Sequence, residues 1–328
     1  EDELRLDNSK SMSQEFAGDD DVWEITKKYV IIKASSWERI RRLRGKHLED
    51  PLKEIQAMQL VGDYHPHIIR SIVALQDDKY LYSISSYYRN GDLYSVVMND
   101  ITTEGRVTER KARHWFRQLL VSLHHFQIKG ICHRDLSLEN IVVHGRACKI
   151  IDFGLALRLP YHNPHNLGGS SDVSDGSRRL LVLAQGQGGE LTYMAPEIFS
   201  RKSNFDGFAI DLWAAGIILY IMLVGHKPFN FPHLSDEQFC MLAENGLLRE
   251  CLDHSGIKLS DDACDLMQKM LWRDQRKRLT LAEVMEHPWV RGNVLSPCNS
   301  VHESEGTGVS HRRMSSKGSK RWFQRKKN

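Results

Sequence analysis

The stretch His133-Arg134-Asp135-Leu136-Ser137-Leu138-Glu139-Asn140, with Asp152-Phe153-Gly154 shortly after it, decides how the rest of the chain is read. Between its two halves, Ile141–Val143 and Lys149–Ile151 read as a short strand pair around His144-Gly145. Upstream, 109–128 carries apolar residues at three-and-four spacing and ends at Gly130, a normal helix stop. Further upstream the pattern changes. Tyr29–Lys33 is β-branched and short, which predicts a strand bounded by Ala34-Ser35. Asp50-Pro51 then opens a segment with apolar residues at helical spacing and Asp50 as its N-cap. Ile68–Tyr88 alternates and predicts two strands, so residues 1–88 read as strand-rich with one helix. Downstream, 210–223 and 263–271 read as helices.

Composition sets the outer limits. The chain has 328 residues, 41% hydrophobic and 27% charged, which is ordinary globular usage and excludes whole-chain disorder or a small disulfide scaffold. The net charge of +3 hides an asymmetry. Residues 311–328 carry eight Lys/Arg and no acid, leaving 37 basic against 42 acidic residues in the body. An acidic body does not coat nucleic acid, so no nucleic-acid partner is expected. Six scattered cysteines form no CxxC pair and fit a reduced, intracellular compartment, cytoplasmic or nuclear. The longest apolar run, Gly216–Gly225, is short for a bilayer span. Residues 168–178 are rich in Gly, Ser and Asp and read as a mobile loop; 295–328 shows no period and reads as a disordered tail.

The ordered set of motifs resembles a eukaryotic protein kinase of the serine/threonine type. After His133-Arg134-Asp135, Asn140 and Asp152-Phe153-Gly154 come Tyr193-Met194-Ala195-Pro196-Glu197, then Asp211-Leu212-Trp213, Arg278 and His287-Pro288-Trp289. The resemblance implies an α+β, two-lobed fold: a small β-rich N-lobe over 1–88, a larger helical C-lobe over 89–294, and an activation segment over 152–197. It implies ATP and Mg²⁺, and transfer of phosphate to protein serine or threonine. Such a reaction asks the protein for positioned metals, a clamp on the phosphates and an oriented acceptor. By resemblance, Asp152 and Asn140 hold the metals and Asp135 accepts the hydroxyl proton. Lys33 holds the phosphates and is itself held by Glu54. The Ser86 carbonyl and Tyr88 amide bond adenine, with Ser85 guarding the pocket behind. Asp211 anchors the catalytic loop, Glu197 and Arg278 form a buried ion pair, and Phe153, His133 and Met58 align the lobes by packing.

Three departures keep a pseudokinase, a nucleotide-binding or interaction scaffold, as the alternative. Ser9–Phe16 stands where a Gly-rich loop is expected, leaving Ser11 and Ser13 as the phosphate contacts. Ser137 replaces a lysine that neutralises the transferring phosphoryl, a loss on the scale of roughly 10²-fold in rate. Glu190 stands where a threonine would touch Asp135; it either repels Asp135 or points to solvent.

Substrate cues are weaker. Asp92 and Glu139 occupy positions that read basic residues upstream of the acceptor in basophilic relatives; equally, Asp92 caps the helix starting at Leu93. Arg134 usually grips a phosphate on the activation segment, yet no Ser or Thr lies between Arg178 and Leu191, so activity without loop phosphorylation is expected. The tail holds Arg312-Arg313-Met314-Ser315-Ser316, a basophilic phosphorylation pattern, and ends in mixed cations and aromatics. Membrane contact, nuclear import and a solvated charged end all remain open readings of it.

Overall fold

A computed structural model of the chain describes residues 29–62, 64–159, 188–200 and 204–292. The expectations placed on Ser9–Phe16, on 168–178 and on the tail from 295 lie outside these residues.

The described N-terminal region is built on a sheet. Strands β1 (Val30–Ser36), β2 (Ser71–Gln76) and β3 (Tyr80–Ser86) pair antiparallel in the order β1-β3-β2, with Lys33 opposite Ser83 and Val30 opposite Ser86. β1 runs past Ala34-Ser35, the expected boundary, to Ser36. Ser36 ends it by turning its hydroxyl to the Arg39 amide at 3.4 Å and capping helix α1 (Trp37–Leu43). This helix corrects the expectation of a single helix before residue 88. Seven residues with only Ile40 buried leave no apolar period to read. Helix α2 (Pro51–Val61) starts as expected: Asp50 Oδ1 accepts from the Leu52 amide at 2.9 Å, and Pro51 fills the first turn where no N–H is needed. Ile40, Ile55 and Leu81 form a small apolar cluster that fixes α1 to α2 and to β3.

The C-terminal region is helical, giving a two-part α+β architecture. It contains α3 (Leu93–Glu104), α4 (Glu109–Lys129), α5 (Pro196–Phe199), α6 (Gly207–Val224), α7 (Glu237–Phe239), α8 (Leu248–His254), α9 (Asp261–Met270), α10 (Leu281–Glu286) and α11 (Pro288–Arg291). Asp92 caps α3 through the Ser95 amide at 2.7 Å. Gly130 closes α4 in the left-handed region at φ 67°. Core helix α6 is longer than the apolar run suggested, and by length and composition alone its 18 residues suffice to cross a membrane. Its apolar character has another cause: 94% of it is buried within the fold, including Trp213, Leu219, Met222 and Leu223. Each such side chain contributes about 1.5–3 kcal/mol by leaving water.

Small strands place the loops between these parts. β4 (Ile131–Cys132) pairs with β7 (Leu157–Arg158), and β5 (Ile141–His144) pairs with β6 (Ala147–Ile150). The β5–β6 hairpin is stitched to the upstream chain, with Ile69 N donating to Ile150 O at 2.9 Å, Ile150 N to His67 O at 3.0 Å and Val143 N to Gly91 O at 2.8 Å.

Candidate active site

Asp211 is the foundation of the site. It lies buried on α6, and its two oxygens accept from the amides of His133 (2.7 Å) and Arg134 (2.8 Å). Burial pushes its carboxyl up to about 7, against the pull of those two N–H groups and of Arg134. The two bonds hold Arg134 at φ 69°, a left-handed conformation that a non-glycine residue adopts at a cost of roughly 1–3 kcal/mol. Among the described non-glycine residues Asp152, at φ 63°, is the other one bent this way. The two sharp turns thus coincide with the two halves of the motif.

The turn at Arg134 projects Asp135 to the rim of the loop. Asn140 Nδ2 donates to the Asp135 carboxylate at 3.0 Å and to its backbone carbonyl at 2.9 Å. An amide spends its N–H donors there and keeps its carbonyl oxygen for another partner. Ser137, 3% exposed, turns its hydroxyl to the Asn140 amide at 3.1 Å and so closes the loop from within. Ile151 N donates to Asn140 O at 2.9 Å, which ties the segment leading into Asp152 directly to Asn140.

On the sheet side, Lys33 Nζ lies 2.8 Å from Glu54 Oε1 and 3.5 Å from Asp152 Oδ2. Burial acts against both partners of the ion pair. It pushes the Glu54 carboxyl above its ordinary range, opposed by Lys33. It also opposes the Lys33 ammonium, which Glu54 and Asp152 nevertheless hold above its ordinary value. Two acids therefore share one base. Asp152 keeps 44% of its side chain exposed, with Oδ1 taken by the Gly154 amide at 3.1 Å. A half-exposed carboxylate and a carboxamide oxygen are hard donors of the type Mg²⁺ prefers, so the residues fit that ion. Among the described residues no cluster of three or more His, Cys, Asp or Glu is arranged to hold a metal. Any further oxygen ligands would come from water and phosphate.

Packing behind these groups matches the expectation. Phe153 is fully buried, 5.0 Å from the His133 ring and 5.5 Å from Phe126, and joins Met58 and Ile69 in the main core. His133 donates from Nε2 to Ile151 O at 2.9 Å. Ser85 is buried at the end of β3; Ser86 donates its amide to Arg70 O at 3.4 Å, and Tyr88 packs at 5.4 Å against His144. Ser11 and Ser13 are outside the described residues.

Glu190 is exposed, as the solvent-facing alternative expected, and its side chain makes no clash with Asp135. Its backbone amide, not its carboxylate, faces Asp135 Oδ1, at 3.3 Å. The carboxyl is pushed up by burial and by the charge of Glu139, with Thr192 opposing and Asp135 adding to the rise. The chain passes this close because residue 189 is glycine. At φ 89°, a Cβ there would stand 2.9 Å from Arg134 O and 2.9 Å from Asp135 Oδ1. A further contact escaped the sequence reading: Tyr193 donates its hydroxyl to Glu139 Oε2 at 3.2 Å and accepts from the Leu138 amide at 3.4 Å. Of the two acids proposed to read basic substrates, Asp92 is committed to capping and Glu139 is shared with Tyr193. Nothing in the spacing signals that bond, which joins residues 54 positions apart in the chain.

Comparison with known proteins agrees with this geometry. Residues 22–290 match the model of the protein kinase domain, so the chain belongs to the protein kinase domain family. It is 32% identical over 255 residues to "Serine/threonine-protein kinase DCLK3" of Homo sapiens, covering 76% of this chain and 34% of that protein. It is 31% identical over 270 residues to "CBL-interacting protein kinase 16" of Oryza sativa subsp. japonica, covering 82% of this chain and 52% of that protein. "CBL-interacting serine/threonine-protein kinase 16" of Arabidopsis thaliana is 29% identical over 80% of this chain and 51% of its own length. The chain thus spans between a third and about half the length of these curated relatives.

Proposed function

We propose that the chain is a working protein serine/threonine kinase that uses ATP and Mg²⁺, rather than a pseudokinase. The observation that carries this reading is the Lys33–Glu54 ion pair standing 3.5 Å from Asp152, on the far side of a loop that presents Asp135 braced by Asn140. In this reading Lys33 clamps the α- and β-phosphates, and Glu54 keeps it from collapsing onto Asp152. Asp152 and the Asn140 carbonyl oxygen hold Mg²⁺, which when bound neutralises phosphate charge. Asp135 accepts the proton of the substrate hydroxyl and aligns its oxygen for attack. Ser86 and Tyr88 offer the backbone groups for adenine.

The substrate class is a protein Ser/Thr hydroxyl, with basic residues upstream of it read by Glu139. An intracellular, cytoplasmic site of action belongs to the same proposal. The pseudokinase reading draws on Ser137 and on the acids Glu139 and Glu190 around Asp135. What supports activity against it is that both proposed metal ligands, the base and the phosphate clamp are present, with Lys33 3.5 Å from Asp152 and Asn140 bonded to Asp135.

The test is transfer of label from the γ-phosphate of ATP to a basic Ser/Thr peptide, beside Asp152→Asn. Transfer by the wild type that the variant loses supports the kinase. Thermal stabilisation by Mg²⁺-nucleotide without any transfer would establish the pseudokinase instead.

A further inference from the structure

We propose that the outer face of α1 and the turn behind it form a docking surface for a phosphorylated peptide segment of a partner protein. Arg39, Arg41, Arg42, Arg44 and Lys46 fall within eight residues, with Glu38 the sole acid between Trp37 and Lys46. All five cations are exposed, and among the described residues none has an ion-pair partner. The acidic balance of the body makes this concentration stand out against its surroundings.

Local helix energetics explain only part of it. Arg41 and Arg42 sit in the last turn of α1, where a cation is favoured by the helix dipole. Arg39 sits in the first half of the helix, where it is not. Arg44 and Lys46 lie beyond the helix, around Gly45 at φ 75°. Five like charges this close repel one another, and among the described residues no ion pair compensates them.

The helix beneath is anchored at two points. Ile40 is 6% exposed against Ile55 and Leu81, and Trp37 Nε1 donates to Asp77 O at 3.0 Å. The cations are therefore displayed from a fixed base, which lowers the ordering cost of binding. Four of the five are arginines, whose planar fork suits bidentate capture of phosphate. A membrane is the poorer match, because residues 37–46 show no exposed large apolar side chain to insert. Duplex nucleic acid is poorer too, since duplex binding sums many phosphate contacts over a long footprint, and this run is one short helix and turn on an acidic body. The surface is separate from the nucleotide-binding residues, and the inference does not depend on catalysis.

The test uses the full chain and fluorescence anisotropy of a labelled acidic peptide carrying two phosphoserines. Its controls are the same peptide with serines, the same with glutamates, phosphatidylserine vesicles and a short DNA duplex. The comparison protein is R41E/R42E/R44E, whose basic tail is unchanged and so cancels. Melting curves check that the exposed reversals leave the fold intact. The expected result is binding of the phosphopeptide that falls steeply with salt and weakens at least about tenfold in the variant. Equal affinity of the two proteins would overturn the proposal. Glutamate peptide binding as tightly would overturn the phosphate assignment. Vesicles or duplex captured in preference, and lost in the variant, would reassign the face to a membrane or nucleic acid.

Discussion

Arg278 meets Glu197 through two parallel hydrogen bonds, Nη1 to Oε1 at 2.8 Å and Nη2 to Oε2 at 2.9 Å, with side chains only 3% and 4% exposed. The guanidinium also lies 4.6 Å from the Trp213 ring centroid. The pair ties α5, and through it Tyr193 and the catalytic loop, to the chain before α10. Removing one partner strands a buried charge. Glu197→Ala should cost about 3–5 kcal/mol in urea unfolding, whereas Glu197→Leu with Arg278→Met should recover most of the loss. A single variant within 1 kcal/mol of wild type would show that the pair is not the joint described here.

Ser137 is where a family lysine is missing, and its hydroxyl instead closes the loop on the Asn140 amide. Ser137→Ala should therefore loosen Asn140, costing about 1 kcal/mol of local order. The expected signature is a Mg²⁺ dependence of transfer shifted to higher concentration, with the peptide KM little changed. An unaltered Mg²⁺ titration would assign the serine to packing alone.

His65 gives a pH dependence whose sign can be worked out. Burial lowers its imidazole to about 4, and His125, His67 and Lys149 add to the effect. The rings of His65 and His125 are 4.6 Å apart, and the His67 amide donates to His65 Nδ1 at 3.2 Å. The fold therefore favours the neutral ring over an unfolded value near 6.5. That contribution is full above pH 6.5 and is lost as pH falls toward 4. Urea midpoints at pH 7 and pH 5 should diverge more for wild type than for His65→Gln. Parallel curves would remove His65 from the acid response.

Ser85 is buried at the end of β3, where it faces Ile31 and Ser71 across the sheet. A small residue there leaves depth behind the proposed adenine position. Bulky adenine-site inhibitors should lose potency at least about tenfold against Ser85→Met, by overpacking. Potency unchanged in the variant would place the inhibitors elsewhere.

Much of this was legible in the sequence because it is local. The Asp50 cap, the α4 stop at Gly130 and the β5–β6 pair each depend on neighbours a few residues apart. The ordered motifs named the candidate site residues, of which Lys33 lies beside both Glu54 and Asp152. Other features were silent for physical reasons. Helix α1 is held by one buried isoleucine and a tryptophan bond to a distant carbonyl, so its own pattern carries no period. The Tyr193–Glu139 bond and the approach of Gly189 to Asp135 exist only after residues far apart in the chain are folded together.

The most direct test of the central claim is a double-mutant cycle on transfer, with Lys33→Met, Glu54→Gln and the two combined. The two residues act as one clamp, so each single change should lower kcat/KM by about 10²-fold or more, and the pair no further than the worse single change. Losses that multiply, or a Lys33→Met variant with wild-type kcat/KM, would contradict it.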